Sequence, residues 1–499
     1  MKKKIKIPDT YVIIFFVVIF AALLTYLVPV GNFDMETIEY ATDAGMKSRT
    51  VPIPGSFKYA LNSLGEPLRK GIPIFAAGGA MSITNYIFEG LVSGDKWGTA
   101  VGIIAFILIT GGAFGIILKT NAVEAGILNM IKKTKGSEIL LIPLVFFLFS
   151  LGGAVFGMGE EAIPFAMILI PIVVGMGYDS ITGIFMCYIS TQIGFGTSWM
   201  NPFGVAIAQG VAGIPVLSGA MFRIFMWLFF TVFGMLYTMR YAKKVKANPE
   251  SSISYETDKF FRDDFKAQEA QDIEFKLGHK LVFLIIFLGM SWIVWGVVFH
   301  GYYLPEIAAQ FTIMGISSGI VGVIFKLNNM TINDIATSFR KGAEDLIGAA
   351  LVVGMAKGIV LVLGGIDANT PTVLNTILNS VAGVLGNLHA SVSAVAMYFF
   401  QSLFNFFVVS GSGQAALTMP IMAPLSDLVG VPRQVAVLAF QLGDGFTNMI
   451  VPTSGILMAI LGIAKVDWGV WAKKQIKFQG ILFILGSIFV IFGVLTNFS

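Results

Sequence analysis

Apolar positions along this chain gather in long windows parted by short charged clusters. A membrane-spanning helix needs about 20 mostly apolar residues, and several windows reach that length. Thr10 to Phe33 is the first. It follows Lys2, Lys3, Lys4 and Lys6, lacks a small-residue cleavage site and is flanked by Asp9 and Asp34, so it reads as a retained span and not a signal peptide. Gly98 to Lys119 is the next. Ile139 to Tyr178 is interrupted only by Glu160 and Glu161, and Ser180 to Phe222 carries no charge, its apolar run continuing to Tyr241. Further spans are expected near 280–299, 303–325, 346–364, 390–426, 432–464 and 478–497. The pattern predicts an all-α polytopic membrane protein with about nine full spans plus two hairpins. Residues 71–93 are moderately apolar and are assigned to no span.

Composition agrees. The 499 residues are 56% hydrophobic and 12% charged, about half the charge of a soluble domain, which excludes a single soluble enzyme and a disordered chain. A net charge of +4 is too small to imply nucleic acid. The 56 glycines suit helices that pack closely or break. Cys187 is the one cysteine, so no intramolecular disulfide forms, and His279, His300 and His389 lack metal-ligand spacing. No cofactor is called for.

Positive charge orients the spans. The N-terminal lysines are placed in the cytoplasm, as are Lys132, Lys133 and Lys135, then Arg240, Lys243, Lys244 and Lys246, then Lys465, Lys473, Lys474 and Lys477. Asp34, Glu36, Glu39 and Asp43 suit the outside, as does the stretch from Ala368 to His389, which has no Lys or Arg. The expected division is a first transmembrane repeat at 1–242, a cytoplasmic linker at 243–278, and a linker span with a second repeat at 279–499.

Three local patterns recur in order. Gly111, Ala113, Gly115, Ile116 and Leu118 match Gly354, Ala356, Gly358, Ile359 and Leu361. Gly157, Gly159 and Ala162 match Gly411, Gly413 and Ala416. Gln192, Gly194, Gly196 and Pro202 match Gln441, Gly443, Gly445 and Pro452. The first copy of the hairpin around Gly157 starts beside a cytoplasmic lysine cluster, and the copy around Gly411 starts from the outer loop. The two therefore enter from opposite sides, which is an inverted-topology repeat of the kind found in secondary transporters.

Each copy carries a glycine tip, Gly157-Met158-Gly159-Glu160-Glu161 and Ser410-Gly411-Ser412-Gly413-Gln414. Arms of this length could cross fully or re-enter; the inverted repeat favours re-entrant hairpins. Each copy also carries an interrupted helix, Gly194 to Pro202 and Gly443 to Ser454, where glycine and proline free backbone groups for a ligand. An ordinary proline kink satisfied by Ser or Thr is the plainer reading of either one alone.

Ionisable residues inside a membrane are functional candidates. Glu160, Glu161 and Asp444 fall in the broken elements, and Lys357 lies within a span. The acidic excess suits a cationic ligand. Glu160 or Glu161 could equally carry a proton, and Lys357 either holds a substrate carboxylate or pairs with a glutamate. Lys119 and Arg223 lie near span ends and read as snorkelling.

The run Phe156-Gly157-Met158-Gly159-Glu160-Glu161-Ala162-Ile163-Pro164-Phe165, with Val451-Pro452-Thr453-Ser454-Gly455 and Ile7-Pro8-Asp9-Thr10-Tyr11, resembles the YfcC family of bacterial transporters. That group includes arginine/ornithine antiporters of the ArcD type and is similar to C4-dicarboxylate carriers of the DcuC type and to the ion-transporter superfamily. The resemblance covers nearly the whole chain. It implies a scaffold plus a mobile domain of two hairpins and two broken helices, moving as an elevator, often in a homodimer embedded in membrane lipid. The leading expectation is a basic amino-acid antiporter of the cytoplasmic membrane with a small cationic amino acid as substrate. Glu160, Glu161 and Asp444 would face its cation. Gly157, Gly159, Ser198, Asn201, Ser410, Ser412, Gln414, Asn448, Thr453, Ser454 and Lys357 would complete the site, and a sodium ion could sit at Thr197, Asn201, Thr447 and Asn448. The alternative is an ion-coupled carrier of C4-dicarboxylates or other amino acids. An integral-membrane enzyme is disfavoured, since the chain has no nucleophile elbow and no phosphate loop.

Overall fold

The computed structural model describes residues 10–42, 45–53, 55–96, 100–123, 125–126, 138–201, 203–215, 217–263, 275–385 and 388–498. The expectations placed on Lys2, Lys3, Lys4, Lys6, Ile7, Pro8, Asp9, Asp43, Gly98, Lys132, Lys133, Lys135 and Pro202, and on 264–274 of the linker, concern residues outside this set.

Helix dominates because nearly every long apolar run must close its backbone hydrogen bonds internally. The first half contains α1 (Thr10–Leu27), α2 (Tyr86–Val92), α3 (Ala100–Lys119), α4 (Leu141–Phe156) and α5 (Ala162–Gly175). Next is α6, which runs Ser180–Ile184, a π-helical turn Phe185–Ile189 and Ser190–Gly196; α7 (Val205–Val211) and α8 (Ala220–Ala247) follow. The second half contains α9 (Leu277–His300), α10 (Leu304–Ile324), α11 (Ile332–Asp345), α12 (Ile347–Val362), α13 (Val373–Leu385), α14 (Ala390–Asn405), α15 (Gly411–Leu428), α16 (Arg433–Asn448), α17 (Gly455–Ile463) and α18 (Trp468–Leu495). Among the described residues, α3, α8, α10 and α18 are each long and apolar enough to cross a membrane. Shorter apolar segments include both arms of the first hairpin, α4 and α5, and Leu277–Ile293 of α9.

The polar stretch after α1 departs from the all-helical expectation. It forms two antiparallel pairs, β1 (Gly31–Asn32) with β4 (Lys58–Tyr59), and β2 (Met35–Thr42) with β3 (Gly45–Pro52). The β2–β3 hairpin packs on α7 and α15. Asn375 on α13 ties this region down, its Nδ2 donating to the Gly31, Ala368 and Thr370 carbonyls.

The same packing recurs in both halves. α4 lies on α6 and α8 as α14 lies on α16 and α18, while α5 meets α17 as α15 meets α7. Residues 71–93, unassigned from hydropathy, supply α2, which packs against α12 as α11 packs against α3. The first sequence repeat marks these two contacts. A Cβ on Gly111 would lie 2.7 Å from the Gly342 carbonyl, and one on Gly90 would collide with the Gly354 carbonyl. In lipid the hydrophobic effect does not drive helices together; close backbone approach does, so Gly-x-x-x-Gly spacing at 111/115 and 354/358 is a packing requirement. The third repeat marks the centre, where Gly196 of α6 abuts Gly445 of α16 backbone to backbone.

The segment that follows α8 is pinned to the start of α6. Asp258 accepts a hydrogen bond from the Ser180 amide at 3.0 Å, and the Ser252 and Tyr241 hydroxyls both donate to Asp179 at 2.6 Å. Burial pushes the Asp258 carboxyl up, against hydrogen bonds from Ser180 and Ser254 that pull it down.

Two outcomes follow. Gly445→Val has no room beside the Gly196 backbone and should cost about 1–3 kcal/mol or more, read as a lower melting temperature in detergent, whereas Gly480→Ala, with open space around it, should melt as wild type. Because the folded Asp258 carboxyl titrates above its unfolded value of about 3.9, it subtracts stability as pH rises through that window. Asp258→Asn should therefore gain on wild type as pH climbs and then hold a constant lead; a gap independent of pH would sink this account.

Candidate functional site

The first tip forms because α4 ends at Gly157, which is left-handed with φ 75°. A Cβ there would run into the Asn201 carboxamide oxygen, so the tip rests directly on the first helix break. Glu161 is buried and its Oε2 accepts from the Gly159 amide at 2.9 Å. At the second tip the Ser410 hydroxyl caps α15, accepting from the Gly413 amide. A Cβ on Gly411 would stand 2.7 Å from Asp444 Oδ2. Both tips therefore sit against a side-chain oxygen of a broken helix, and glycine is what allows that approach.

The breaks separate α6 from α7 and α16 from α17. Their freed backbone groups are largely claimed by the protein. In the second break the carbonyl of Phe446 accepts from Gln479, that of Asn448 from the Tyr188 hydroxyl, that of Met449 from Trp471 and that of Ile450 from Trp468. In the first, the Ser198 carbonyl accepts from Gln441 Nε2 at 2.6 Å, and the Ser198 hydroxyl donates to Ala154 while accepting from the Asn201 amide. The expectation that these carbonyls stand open to a ligand is corrected accordingly, because in a medium without water they need partners of their own.

What remains open is a cavity of about 260 Å³ between the tips, the breaks and α12. Of the expected residues, Gly157, Gly159, Glu160, Glu161, Lys357, Ser410, Ser412, Asn448, Thr453 and Ser454 line it. Four do not. Ser198 and Asn201 are spent on the first break, Gln414 bonds Gln401, and Asp444 is buried behind Asn448, whose Nδ2 donates to its Oδ1 at 3.2 Å. Of Thr197, Asn201, Thr447 and Asn448, Asn448 alone reaches the cavity, so the four do not gather on a shared void. Lys357 is half-buried with no carboxylate within ion-pair distance among the described residues, which leaves its pairing with Glu160 or Glu161 unformed. Arg223, expected to snorkel, is fully buried and bonds Gln441 and Gln434.

Sequence reasoning passed over Gln192, Phe195, Phe203, Tyr303 and Phe407, which also line the cavity. The Phe203 and Tyr303 rings pack with centroids 5.2 Å apart. Aromatic residues in apolar runs give no hydropathy signal; Gln192, polar inside an uncharged run and part of a repeat, did.

The C4-dicarboxylate anaerobic carrier model, DcuC, matches residues 7–495. The chain belongs to the DcuC family. A relative from Escherichia coli (strain K12), named "Putative basic amino acid antiporter YfcC", is 52% identical over 97% of this chain and 96% of its own length. An uncharacterised protein of Haemophilus influenzae is 30% identical over 99% of this chain and 98% of its own. The crystal structure of the Alcanivorax borkumensis YdaH transporter covers 98% of this chain and 99% of its own at 14% identity and a TM-score of 0.41, too loose a likeness to argue from. Membership of the DcuC family makes this protein a multi-pass membrane carrier of a small molecule and not an enzyme.

Tyr188 joins the halves of this DcuC-family carrier, its hydroxyl donating to Asn448 O at 2.8 Å and lying 3.2 Å from Ser454 Oγ. Tyr188→Phe orphans a buried carbonyl at a cost of roughly 1–3 kcal/mol, and detergent melts should register it as a lower midpoint.

Proposed function

We propose that this carrier exchanges basic amino acids across the cytoplasmic membrane, arginine entering as ornithine leaves. The observation that carries this is the charge of the cavity. Glu160 and Glu161 enter its wall against one cation among the described residues, Lys357. Charge-assisted hydrogen bonds to an ammonium or guanidinium suit such a wall, and Lys357 is free to meet a substrate carboxylate. The volume suits one small metabolite, since sites for drug-sized ligands start near 300 Å³. The name carried by the Escherichia coli relative agrees with this substrate.

The repeated packing supports an inverted-topology repeat, with 1–242 as the first copy and 279–499 as a linker span and the second; in this reading 243–278 is a cytoplasmic linker and the N-terminus lies in the cytoplasm. Two hairpins and two broken helices around one cavity suit alternating access, in this reading an elevator movement within a homodimer. A second reading, ion-coupled uptake of a C4-dicarboxylate, takes support from the family's description and from the unpaired Lys357. It has to place two anions beside two carboxylates, and the first reading does not.

Counterflow in proteoliposomes tests the choice. Labelled arginine should enter only when ornithine is inside, and should ignore sodium and proton gradients. Glu160→Gln should raise the half-saturation for arginine at least about tenfold, as expected for a lost hydrogen bond to a charged group. Normal exchange by both Glu160→Gln and Glu161→Gln would remove the basis of the proposal.

A further inference from the structure

The third sequence repeat contains two glutamines, Gln192 and Gln441, that occupy corresponding turns of α6 and α16. Each is 2% exposed. Their side chains meet different fates. Gln441 is satisfied at both ends, its Oε1 accepting from Arg223 Nη1 and its Nε2 donating to the Ser198 carbonyl. Gln192 makes no side-chain hydrogen bond to a described residue; its Oε1 is buried without a partner, and the residue contributes to the cavity wall with Glu160, Glu161 and Lys357.

The difference traces to one residue. Arg223 on α8 is fully buried, forms no ion pair among the described residues, and spends its guanidinium on the amides of Gln441 and Gln434. The corresponding turn of α18 carries Trp471, whose indole goes to the Met449 carbonyl and not to Gln192. So the pseudo-symmetry is broken on one side only, and the amide at 192 is left unspent at the edge of the cavity. A buried amide without partners is costly. An amide both donates and accepts, from two separate atoms, which suits a head group bearing an ammonium and a carboxylate together.

We propose that Gln192 is a substrate ligand of this carrier, its amide donating to the carboxylate and accepting from the ammonium of an α-amino-acid head group, while Arg223 holds its repeat partner Gln441 out of the site. The inference rests on reading the cavity as the transport site. The test is the half-saturation for arginine–ornithine exchange of Gln192→Leu and Gln192→Glu in proteoliposomes. Both should rise at least about tenfold with melting temperatures near wild type, Glu failing because it has no N–H for the carboxylate. Gln441→Leu should instead melt earlier. An unchanged half-saturation in Gln192→Leu overturns the proposal, and wild-type affinity in Gln192→Glu overturns the donation to a carboxylate. Absence of arginine exchange in the wild type strikes the proposed function; exchange of a neutral α-amino acid then becomes the probe for the same variants, and uptake of succinate instead overturns the α-amino-acid head group. One readout needs no substrate. In a Cys187→Ala background, Gln192→Cys should react with a methanethiosulfonate reagent as Ser412→Cys does, and an unreactive 192 beside a reactive 412 overturns the assignment.

Discussion

A helix interrupted inside a membrane leaves polar backbone groups where no water can reach them, and this structure is arranged around meeting that demand. The second break is closed by Gln479, Tyr188, Trp471 and Trp468, which donate to the carbonyls of Phe446, Asn448, Met449 and Ile450. Three of these donors sit on α18, so the last long helix acts as a brace for the break. Tyr188 comes from the other half of the chain, at the π-helical turn of α6. The first break is closed in turn by Gln441 of α16. One bond to each break crosses between the halves, Tyr188 to the Asn448 carbonyl and Gln441 to the Ser198 carbonyl.

Glycine makes the arrangement dense enough to work. Where α6 crosses α16, Gly196 faces Gly445, and where α2 and α11 lie against α12 and α3, glycines again bring backbone to backbone. Such contacts rest on dispersion between well-fitted surfaces and not on expulsion of water. They also determine where space is left. The tips approach the breaks closely enough that Gly157 touches Asn201 and Gly411 touches Asp444, and the void that remains between them is bounded by both carboxylates of the first tip.

Charge in that void has a structural division of labour. Glu161 fastens its own tip through the Gly159 amide, while Glu160 beside it is partly open and belongs to the wall. Lys357 stands opposite on α12 without a carboxylate partner among the described residues. Asp444 is set back from the cavity and works on the second break instead, through Asn448. Three acids that look alike in sequence thus occupy three different environments.

Sequence by itself determined the class of this protein, because hydropathy and low charge follow from the solvent the chain must face. It also determined the two glycine tips and the two breaks, since glycines at matched positions carry their backbone consequences with them. Ten of the expected cavity residues lie where those elements meet. Tertiary structure alone decided the rest. It showed that Ser198, Asn201, Gln414 and Asp444 bond within the protein and do not line the cavity, that Arg223 is buried, and that 71–93 provides α2 as the counterpart of α11. Whether a polar side chain serves a ligand or a neighbouring backbone depends on which donor lies beside it in space, and Gln192 and Gln441, which share the spacing Gln-x-Gly-x-Gly, are set apart by Arg223, which bonds only the second.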